Sequence, residues 1–161
     1  MKIGIIGDTH GFFHPKIPEA FAGAQKIIHT GDLGSLEVYE RLNKIAPVIW
    51  VSGNHEPEPI PDPQKDPARF ELAGKKILLT HNLTTMSWEY FKDALNLLDQ
   101  FPFAQVDLVI FGHTHYPIQD RVKGVYFLNP GYCGNDFREN DPTVALLEIT
   151  GQDLSSKLLK L

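Results

Sequence analysis

The chain has little cysteine and no long apolar run, and each shortage excludes a class of protein. Cys133 is the single cysteine among 161 residues, so no disulfide can form within the chain. No stretch approaches the roughly 18 consecutive apolar residues that a membrane-spanning helix needs. Residues 1–11 reach charged side chains too soon for a signal peptide. We therefore expect a cytoplasmic protein in a reducing compartment, without a membrane partner.

Positive charge is also scarce. The chain has 15 Lys and Arg residues against 20 Asp and Glu residues, which gives a formal net charge of -5. Proteins that bind nucleic acid usually present a basic patch, so we expect no stable nucleic-acid partner. An acidic protein repels anionic substrates unless something reverses the local field. Bound cations would do so, which makes a metal site the first hypothesis to test against the sequence.

The length is enough for one domain and too short for two, so we expect a single domain over residues 1–161. Helical spacing of apolar residues predicts helices over 35–45 and 87–101, with Ser35 and Ser87 as N-caps. Short apolar runs bounded by Gly or Thr predict buried strands. These runs are 2–7, 26–31, 48–53, 75–80 and 107–112.

The C-terminal part has the pattern of antiparallel strand pairs. Residues 116–122 and 125–129 flank a turn at Lys123-Gly124, and a second pair, residues 143–149 and 153–161, flanks a turn at Thr150-Gly151. An α/β beginning followed by a β-rich end predicts two packed sheets with helices outside them.

A side chain that can bind metal follows each of the five apolar runs. In an α/β protein, ligands bind beyond the carboxyl ends of the strands, so strands that share a direction would bring these side chains together. The i and i+2 residues of Asp-x-His and His-x-His point the same way in extended chain. The preceding glycine would let the backbone turn sharply. The side chains belong to Asp8, His10, Asp32, Asn54, His55, His81, His113 and His115.

Imidazole, carboxylate and carboxamide groups suit divalent ions such as Mn²⁺, Fe²⁺, Zn²⁺, Ni²⁺ or Mg²⁺. The absence of a thiolate argues against a structural zinc site. Even seven of these eight side chains would be too many ligands for one ion. They would fit two ions that share a carboxylate. One histidine after a strand is commonly a surface residue, and one Gly-Asp is commonly a turn. Their recurrence at five strand ends favours the metal site.

In chain order these motifs resemble those of the calcineurin-like metallophosphoesterase family. The matching segments are D-x-H at 8–10, G-D at 31–32, G-N-H-E at 53–56, His81, and G-H-x-H at 112–115. The chain is most similar to the small prokaryotic-type phosphodiesterases of the family, which lack a cap domain. Its residues 128–134 resemble their N-P-G-S element. The resemblance implies an α/β fold, namely a four-layer αββα sandwich of two mixed β-sheets flanked by helices.

The resemblance further implies a metal-dependent phosphoesterase, a phosphodiesterase rather than a protein phosphatase, that hydrolyses a small phosphate ester with a dinuclear centre and a bridging hydroxide. Mn²⁺ is the expected metal, with Ni²⁺, Fe²⁺, Co²⁺, Zn²⁺ or Mg²⁺ as alternatives. His55 corresponds to the catalytic histidine and not to a ligand. The first ion would be held by Asp8, His10, Asp32 and His115. The second would be held by Asp32, Asn54, His81 and His113.

Two departures from the family pattern bear on the substrate. Phosphoprotein phosphatases have a second Asp in G-D-x-x-D-R that orients the catalytic histidine, and residues 31–36 lack it. This argues against a protein phosphatase. The orienting partner of His55 is left open, with Glu56 and Glu37 nearby in sequence and neither favoured. Tyr132 stands at the serine of N-P-G-S.

Two other functions stay open. One is a non-catalytic binding scaffold, because the family includes a eukaryotic retromer subunit that has the fold and lacks the catalytic histidine. The presence of His55 disfavours it. The other is a short-oligonucleotide nuclease, which the acidic charge disfavours. A homo-oligomer is also left open, since many small relatives self-associate.

Several other residues have two interpretations each. His29 is either a hydrogen-bond partner behind the ligands or a buried histidine without a role in chemistry. Phe12–Phe13 either form an apolar wall or, as we favour, pack in the core. The proline-rich segment 56–67 is either a surface connector or a wall at the rim of the site. Cys133 is expected to be incidental, and Arg138 either reaches a substrate phosphate or is solvated.

Overall fold

Ten strands and three helices occur in the part of the chain that the computed structural model describes, namely residues 1–57, 59–100, 102–136 and 141–161. Arg138 lies outside these residues. The elements are β1 (Lys2–Ile6), α1 (Ile17–Ala20), β2 (Lys26–His29), α2 (Leu36–Ile45), β3 (Val48–Trp50), β4 (Ala68–Leu72), β5 (Lys75–Thr80), α3 (Trp88–Leu97), β6 (Leu108–Phe111), β7 (Ile118–Val122), β8 (Val125–Asn129), β9 (Thr143–Thr150) and β10 (Asp153–Lys160).

The strands form two mixed five-stranded sheets. The first sheet has the order β10-β9-β1-β2-β3, in which β1, β2 and β3 are parallel and β9 is antiparallel to β1. The second sheet has the order β4-β5-β6-β8-β7, in which β5, β6 and β8 are parallel and the two outer strands are antiparallel. In each sheet, therefore, three parallel strands end at the same edge.

Neighbouring residues of one strand face different layers. Ile28 of β2 and Leu79 of β5 lie in one buried core between the two sheets. Ile27 points the other way and packs with α1 and α2, whereas Leu78 packs with α3. Since the inner strands β1, β2, β6 and β8 are covered on both faces, they are buried along almost their whole length. The expected α/β fold, with two mixed sheets between outer helices, is confirmed.

The helices begin where the sequence predicts. The hydroxyl of Ser35 accepts a hydrogen bond from the N–H of Val38 at 3.3 Å, which caps α2. Helix α3 begins after Ser87, whose side chain makes no capping bond, and it ends at Leu97 rather than at residue 101. The backbone of Leu98 is extended, with φ -74° and ψ 131°, which ends the helix there. None of the described helices is long and apolar enough to cross a membrane.

One strand and one helix were not anticipated. The edge strand β4 pairs with β5 through a turn at Ala73-Gly74, where both residues have positive φ. Its alternation of exposed and half-buried residues is too short to stand out in sequence. Helix α1 has four residues and contains a proline. The hairpins predicted at Lys123-Gly124 and Thr150-Gly151 are confirmed as β7–β8 and β9–β10. The second turn lies one residue later than predicted, at Gly151-Gln152, because Thr150 still pairs with Asp153.

Replacement of Leu79 by alanine should lower the free energy of unfolding by about 2–5 kcal/mol, because it opens a cavity between the sheets. Leu79 is completely buried. The matched control is Leu97→Ala on the exposed face of α3, which should change the free energy by less than about 0.5 kcal/mol. Urea denaturation of both variants measures the difference. Equal losses would mean that Leu79 does not lie in the core.

Candidate metal centre

The seven predicted metal ligands lie beyond the carboxyl ends of parallel strands. Asp8 and His10 follow β1, Asp32 follows β2, Asn54 follows β3, His81 follows β5, and His113 and His115 follow β6. Both sheets therefore contribute, and hydrogen bonds join their loops. The N–H of His113 donates to Asp8 Oδ2 at 3.1 Å, and one ring nitrogen of His81 lies 2.9 Å from the carbonyl oxygen of Thr30. The side chains converge as the sequence predicts.

Three of these side chains form a tight triangle. Asn54 Oδ1 lies 2.9 Å from His81 Nε2 and 3.1 Å from His113 Nδ1, and the two nitrogens are 3.2 Å apart. Ligand atoms about 2.1 Å from a common ion are separated by about 3.0–3.4 Å, depending on the coordination geometry. The triangle has the dimensions of ligands that share one ion.

A second group lies beside the first. Ligand atoms of Asp8, His10 and His115 are all within 4.8 Å of one another, and His115 Nε2 is 3.4 Å from Asp8 Oδ1. Asp32 stands between the groups, since its Oδ2 is 3.7 Å from His10 Nε2 and 3.6 Å from His81 Nε2. One carboxylate oxygen therefore faces both groups. This is the position that an aspartate shared by two ions would occupy.

The electrostatics of the two aspartates favour bound cations. Asp8 and Asp32 are 0 % and 2 % exposed, and their carboxylate oxygens lie within 4.8 Å of each other. Within the described residues, the ion-pair partners of both carboxylates are histidines. Burial lowers the pKa of His10 and of His113, which favours the neutral imidazole that metals bind. Buried carboxylates without a permanent cation are costly, and divalent ions would compensate them, so this donor set fits a metal.

The backbone is strained at most of the predicted ligands. Left-handed φ values are found at five of them, namely Asp8 (50°), His10 (46°), Asp32 (51°), His113 (67°) and His115 (60°). Among the described residues other than glycine, three more have positive φ. Each such residue costs about 1–3 kcal/mol and persists only where the surroundings impose it. Such strain is typical of functional sites, and the sequence showed no sign of it.

Two glycines make room for the carboxylates. A Cβ atom at Gly53 would lie 2.0 Å from Asp32 Oδ1, and one at Gly112 would lie 2.8 Å from Asp8 Oδ2. Neither glycine has positive φ. Close approach of an aspartate side chain is therefore one reason for glycine at these two positions.

His29 joins the loops that follow β1 and β2. Its Nδ1 accepts a hydrogen bond from the N–H of Gly31 at 3.2 Å, so Nε2 carries the proton and donates to Thr9 Oγ1 at 2.9 Å. The hydroxyl of Thr9 in turn donates to the carbonyl oxygen of Leu33 at 2.9 Å. Burial, followed by the nearby His81 and His10, lowers the pKa of His29 to about 3. His29 is thus both buried and a hydrogen-bond partner behind the ligands.

Neither glutamate near His55 orients its ring. The carboxylate of Glu56 is engaged by three backbone N–H groups at 2.8–3.2 Å, those of Leu33, Gly34 and Gly53. Glu56 therefore clamps the loops after β2 and β3 together. Glu37 pairs with Arg41 on α2 at 3.2 Å. The backbone N–H of His55 donates to Asp32 Oδ1 at 2.7 Å, which ties the residue to the centre.

The segment after β8 supports the ligand imidazoles. Tyr132 is buried, and its ring centroid lies 4.8 Å from that of His115 and 6.0 Å from that of His10. Asn129 donates to the carbonyl oxygen of Gly112 at 3.1 Å, which holds the G-H-x-H loop. The replacement of serine by Tyr132 therefore alters the packing around two predicted ligands, a consequence that the sequence alone did not reveal.

Other positions have structural roles. Burial raises the pKa of Cys133 to about 12, so the residue remains a thiol and is no nucleophile. Phe13 is buried in the core under the guanidinium of Arg41, which lies 3.8 Å from its ring, so packing is the better interpretation. In the proline-rich segment, Trp50 Nε1 donates to the carbonyl oxygen of Pro61 at 3.0 Å, which fixes the segment to the first sheet.

Two hollows adjoin the ligand groups. A hollow of about 470 Å³ is lined by His10, Gly34, Asn54, His55, Glu56 and Pro57, so the proline-rich segment begins as a wall of the site. A groove of about 720 Å³ borders the site at His113. Side chains of the candidate metal centre line both hollows. A small molecule bound at the centre could therefore extend into either hollow.

Residues 1–152 match the profile of the calcineurin-like phosphoesterase superfamily domain. The chain belongs to this superfamily. It is 31 % identical over 171 residues to a probable metallophosphoesterase of Methanothermobacter thermautotrophicus, a match that covers 99 % of this chain and 92 % of the relative. The family resemblance and the enzyme class, a phosphoesterase, are confirmed.

Solved structures agree with this membership. An archaeal phosphodiesterase is 26 % identical, with a TM-score of 0.70 over 99 % of this chain and 100 % of its own. Vps29 of Entamoeba histolytica, complexed with zinc, has the same TM-score at 24 % identity over 100 % of this chain and 98 % of its own. The second likeness shows the fold alone.

The His29→Gln variant should lose less stability in mild acid than the wild type. Folding lowers the pKa of His29 from its ordinary 6.5 to about 3, so below pH 6.5 the unfolded chain binds a proton that the folded chain does not. Stability therefore falls as the pH drops from 6.5 toward 3. Between pH 7 and pH 5 the wild type should lose about 2 kcal/mol more than the variant.

Urea denaturation of EDTA-treated protein at both pH values measures this difference. The EDTA removes the separate pH dependence of metal binding. Identical losses in the two proteins would show that His29 is not held neutral by the fold.

Proposed function

We propose that this phosphoesterase is a metal-dependent phosphodiesterase that hydrolyses a small phosphate diester at a dinuclear centre. The observation that carries the proposal is the position of Asp32 Oδ2, which lies 3.7 Å from a nitrogen of one ligand group and 3.6 Å from a nitrogen of the other. Mn²⁺ is the metal we expect, and Ni²⁺, Fe²⁺, Co²⁺, Zn²⁺ and Mg²⁺ suit the same donors.

The distances support one assignment of ligands to ions. Two divalent ions would bind the phosphoryl oxygens and lower the pKa of a water between them, which supplies a nucleophile at neutral pH. The first ion would be held by Asp8, His10, Asp32 and His115. The second would be held by Asp32, Asn54, His81 and His113, whose histidine and asparagine atoms already form a triangle of 2.9–3.2 Å.

His55 is proposed as the general acid. It is exposed and lines the smaller hollow, and its ring centroid lies 5.6 Å from that of His10. Its backbone is tied to Asp32, whereas its imidazole makes no hydrogen bond to another described residue. The ring is therefore available to protonate the oxygen of the leaving group. Such proton transfer typically contributes about 10²–10⁴-fold to the rate.

The other functions have less support. A binding scaffold would not need the converging ligands or the exposed His55, and the likeness to Vps29 shows the fold alone. A nuclease would have to bind a polyanion with a net charge of -5. The single domain over residues 1–161, the cytoplasmic location and any homo-oligomer stay predictions.

The His55→Ala variant should keep its metal content and lose about 10²–10⁴-fold in kcat, because it removes the proton donor and none of the ligands. The control is His14→Ala. His14 lies outside both ligand groups and accepts a hydrogen bond from the N–H of Lys16 at 3.3 Å. Its replacement should change neither the metal content nor kcat. Hydrolysis of bis(p-nitrophenyl) phosphate with Mn²⁺, together with elemental analysis, measures both. Full activity in His55→Ala would refute the assigned role.

The Asp32→Ala variant should bind fewer ions, because it removes the carboxylate proposed to be shared by both. The matched control is Asp93→Ala on the exposed surface of α3, which should keep the metal content of the wild type. Metal-to-protein ratios after gel filtration measure the number of ions bound by each variant and by the wild type. Two ions per chain in Asp32→Ala would show that this aspartate is not shared.

A further inference from the structure

A groove of about 720 Å³ lies beside His113. It runs between the segment that leads into α3 and the segment that follows the G-H-x-H motif. Its lining includes Met86, Trp88, His113, Tyr116, Pro117 and Ile118. Through His113 the groove opens directly onto the candidate metal centre.

The groove exposes apolar side chains over a rigid floor. Met86 and Tyr116 are 55 % and 64 % exposed. Trp88 stacks on Phe111 with 5.9 Å between ring centroids and 25° between ring planes, and its Nε1 donates to Asp120 Oδ2 at 2.9 Å. A fixed tryptophan flanked by an exposed tyrosine and methionine suits a flat aromatic group, because aromatic faces and thioethers both pack well against rings.

The smaller hollow, which borders the centre at His10 and Asn54, differs in chemistry. Its lining includes the polar side chains of His10, Asn54, His55 and Glu56. If His55 protonates the leaving group, the leaving oxygen must face this hollow. A phosphodiester has a second ester substituent, which stays on the phosphorus after hydrolysis. The groove beside His113 also borders the centre, so it can receive that substituent.

We infer that the groove binds the retained ester group of the substrate and selects phosphodiesters in which this group is aromatic or heteroaromatic. The inference rests on the proposed phosphodiesterase function and on the role of His55 within it. A monoester has no group to place in the groove, so the same feature favours diesters. Tyr116 and Met86 are then specificity residues, which contact the substrate away from the reacting bonds.

Two diesters with one leaving group test the inference. Phenyl p-nitrophenyl phosphate and methyl p-nitrophenyl phosphate both release p-nitrophenolate and differ only in the retained group. With Mn²⁺-loaded wild type, kcat/KM should be roughly five- to tenfold higher for the phenyl diester. Tyr116→Ala and Met86→Ala should each bring this ratio closer to one. The matched control Tyr90→Ala, at a tyrosine 73 % exposed on α3 and outside the groove, should keep the wild-type ratio.

The possible failures point to different errors. Equal kcat/KM values for the two diesters in the wild type would overturn the assignment of the groove and leave the phosphodiesterase function standing. A wild-type ratio of the two kcat/KM values in both Tyr116→Ala and Met86→Ala would also overturn the assignment of the groove and leave the phosphodiesterase function standing. No release of p-nitrophenolate from either diester, with Mn²⁺, Ni²⁺, Co²⁺ or Mg²⁺, would overturn the proposed function and this inference together.

Discussion

The buried negative charge of two aspartates is the constraint on which this molecule depends. Asp8 and Asp32 lie at the ends of adjacent parallel strands, almost without exposure and within 4.8 Å of each other. In the described part of the chain no lysine or arginine pairs with either. Burial of two carboxylates is costly, and divalent cations held by the imidazoles around them would offset that cost.

The fold meets this constraint with two sheets instead of one. Asp8 and Asp32 come from the first sheet, whereas His81 and His113 come from the second, so the candidate centre exists only when the sheets pack face to face. Left-handed backbone at most of the predicted ligands is stabilised by the central core and by hydrogen bonds between loops. Stability and the geometry of the candidate centre are therefore coupled, because the core that aligns the strands also positions the predicted ligands.

Much of this arrangement could be predicted, and the reasons are physical. Short apolar runs identify buried strands, and a polar residue directly after such a run lies at a strand end. The roles of side chains that contact residues distant in sequence could not be predicted in the same way. Glu56 lies beside His55 in sequence, yet it binds the backbone of the loop after β2, some 20 residues earlier. No local sequence pattern predicts such a contact, and none predicts which of the candidate ligands have left-handed backbone.

By itself, the sequence determined which side chains could bind metal and that each follows a strand, since both depend on residue type and local periodicity. Tertiary structure alone decided how they group. It places Asp32 Oδ2 between two sets of predicted ligands and hydrogen-bonds the Glu56 carboxylate to the loop after β2. It also packs Tyr132 against His115 and forms the groove beside His113. These relations depend on how two sheets are aligned across a shared core, and that alignment results from packing many residues at once rather than from any one segment.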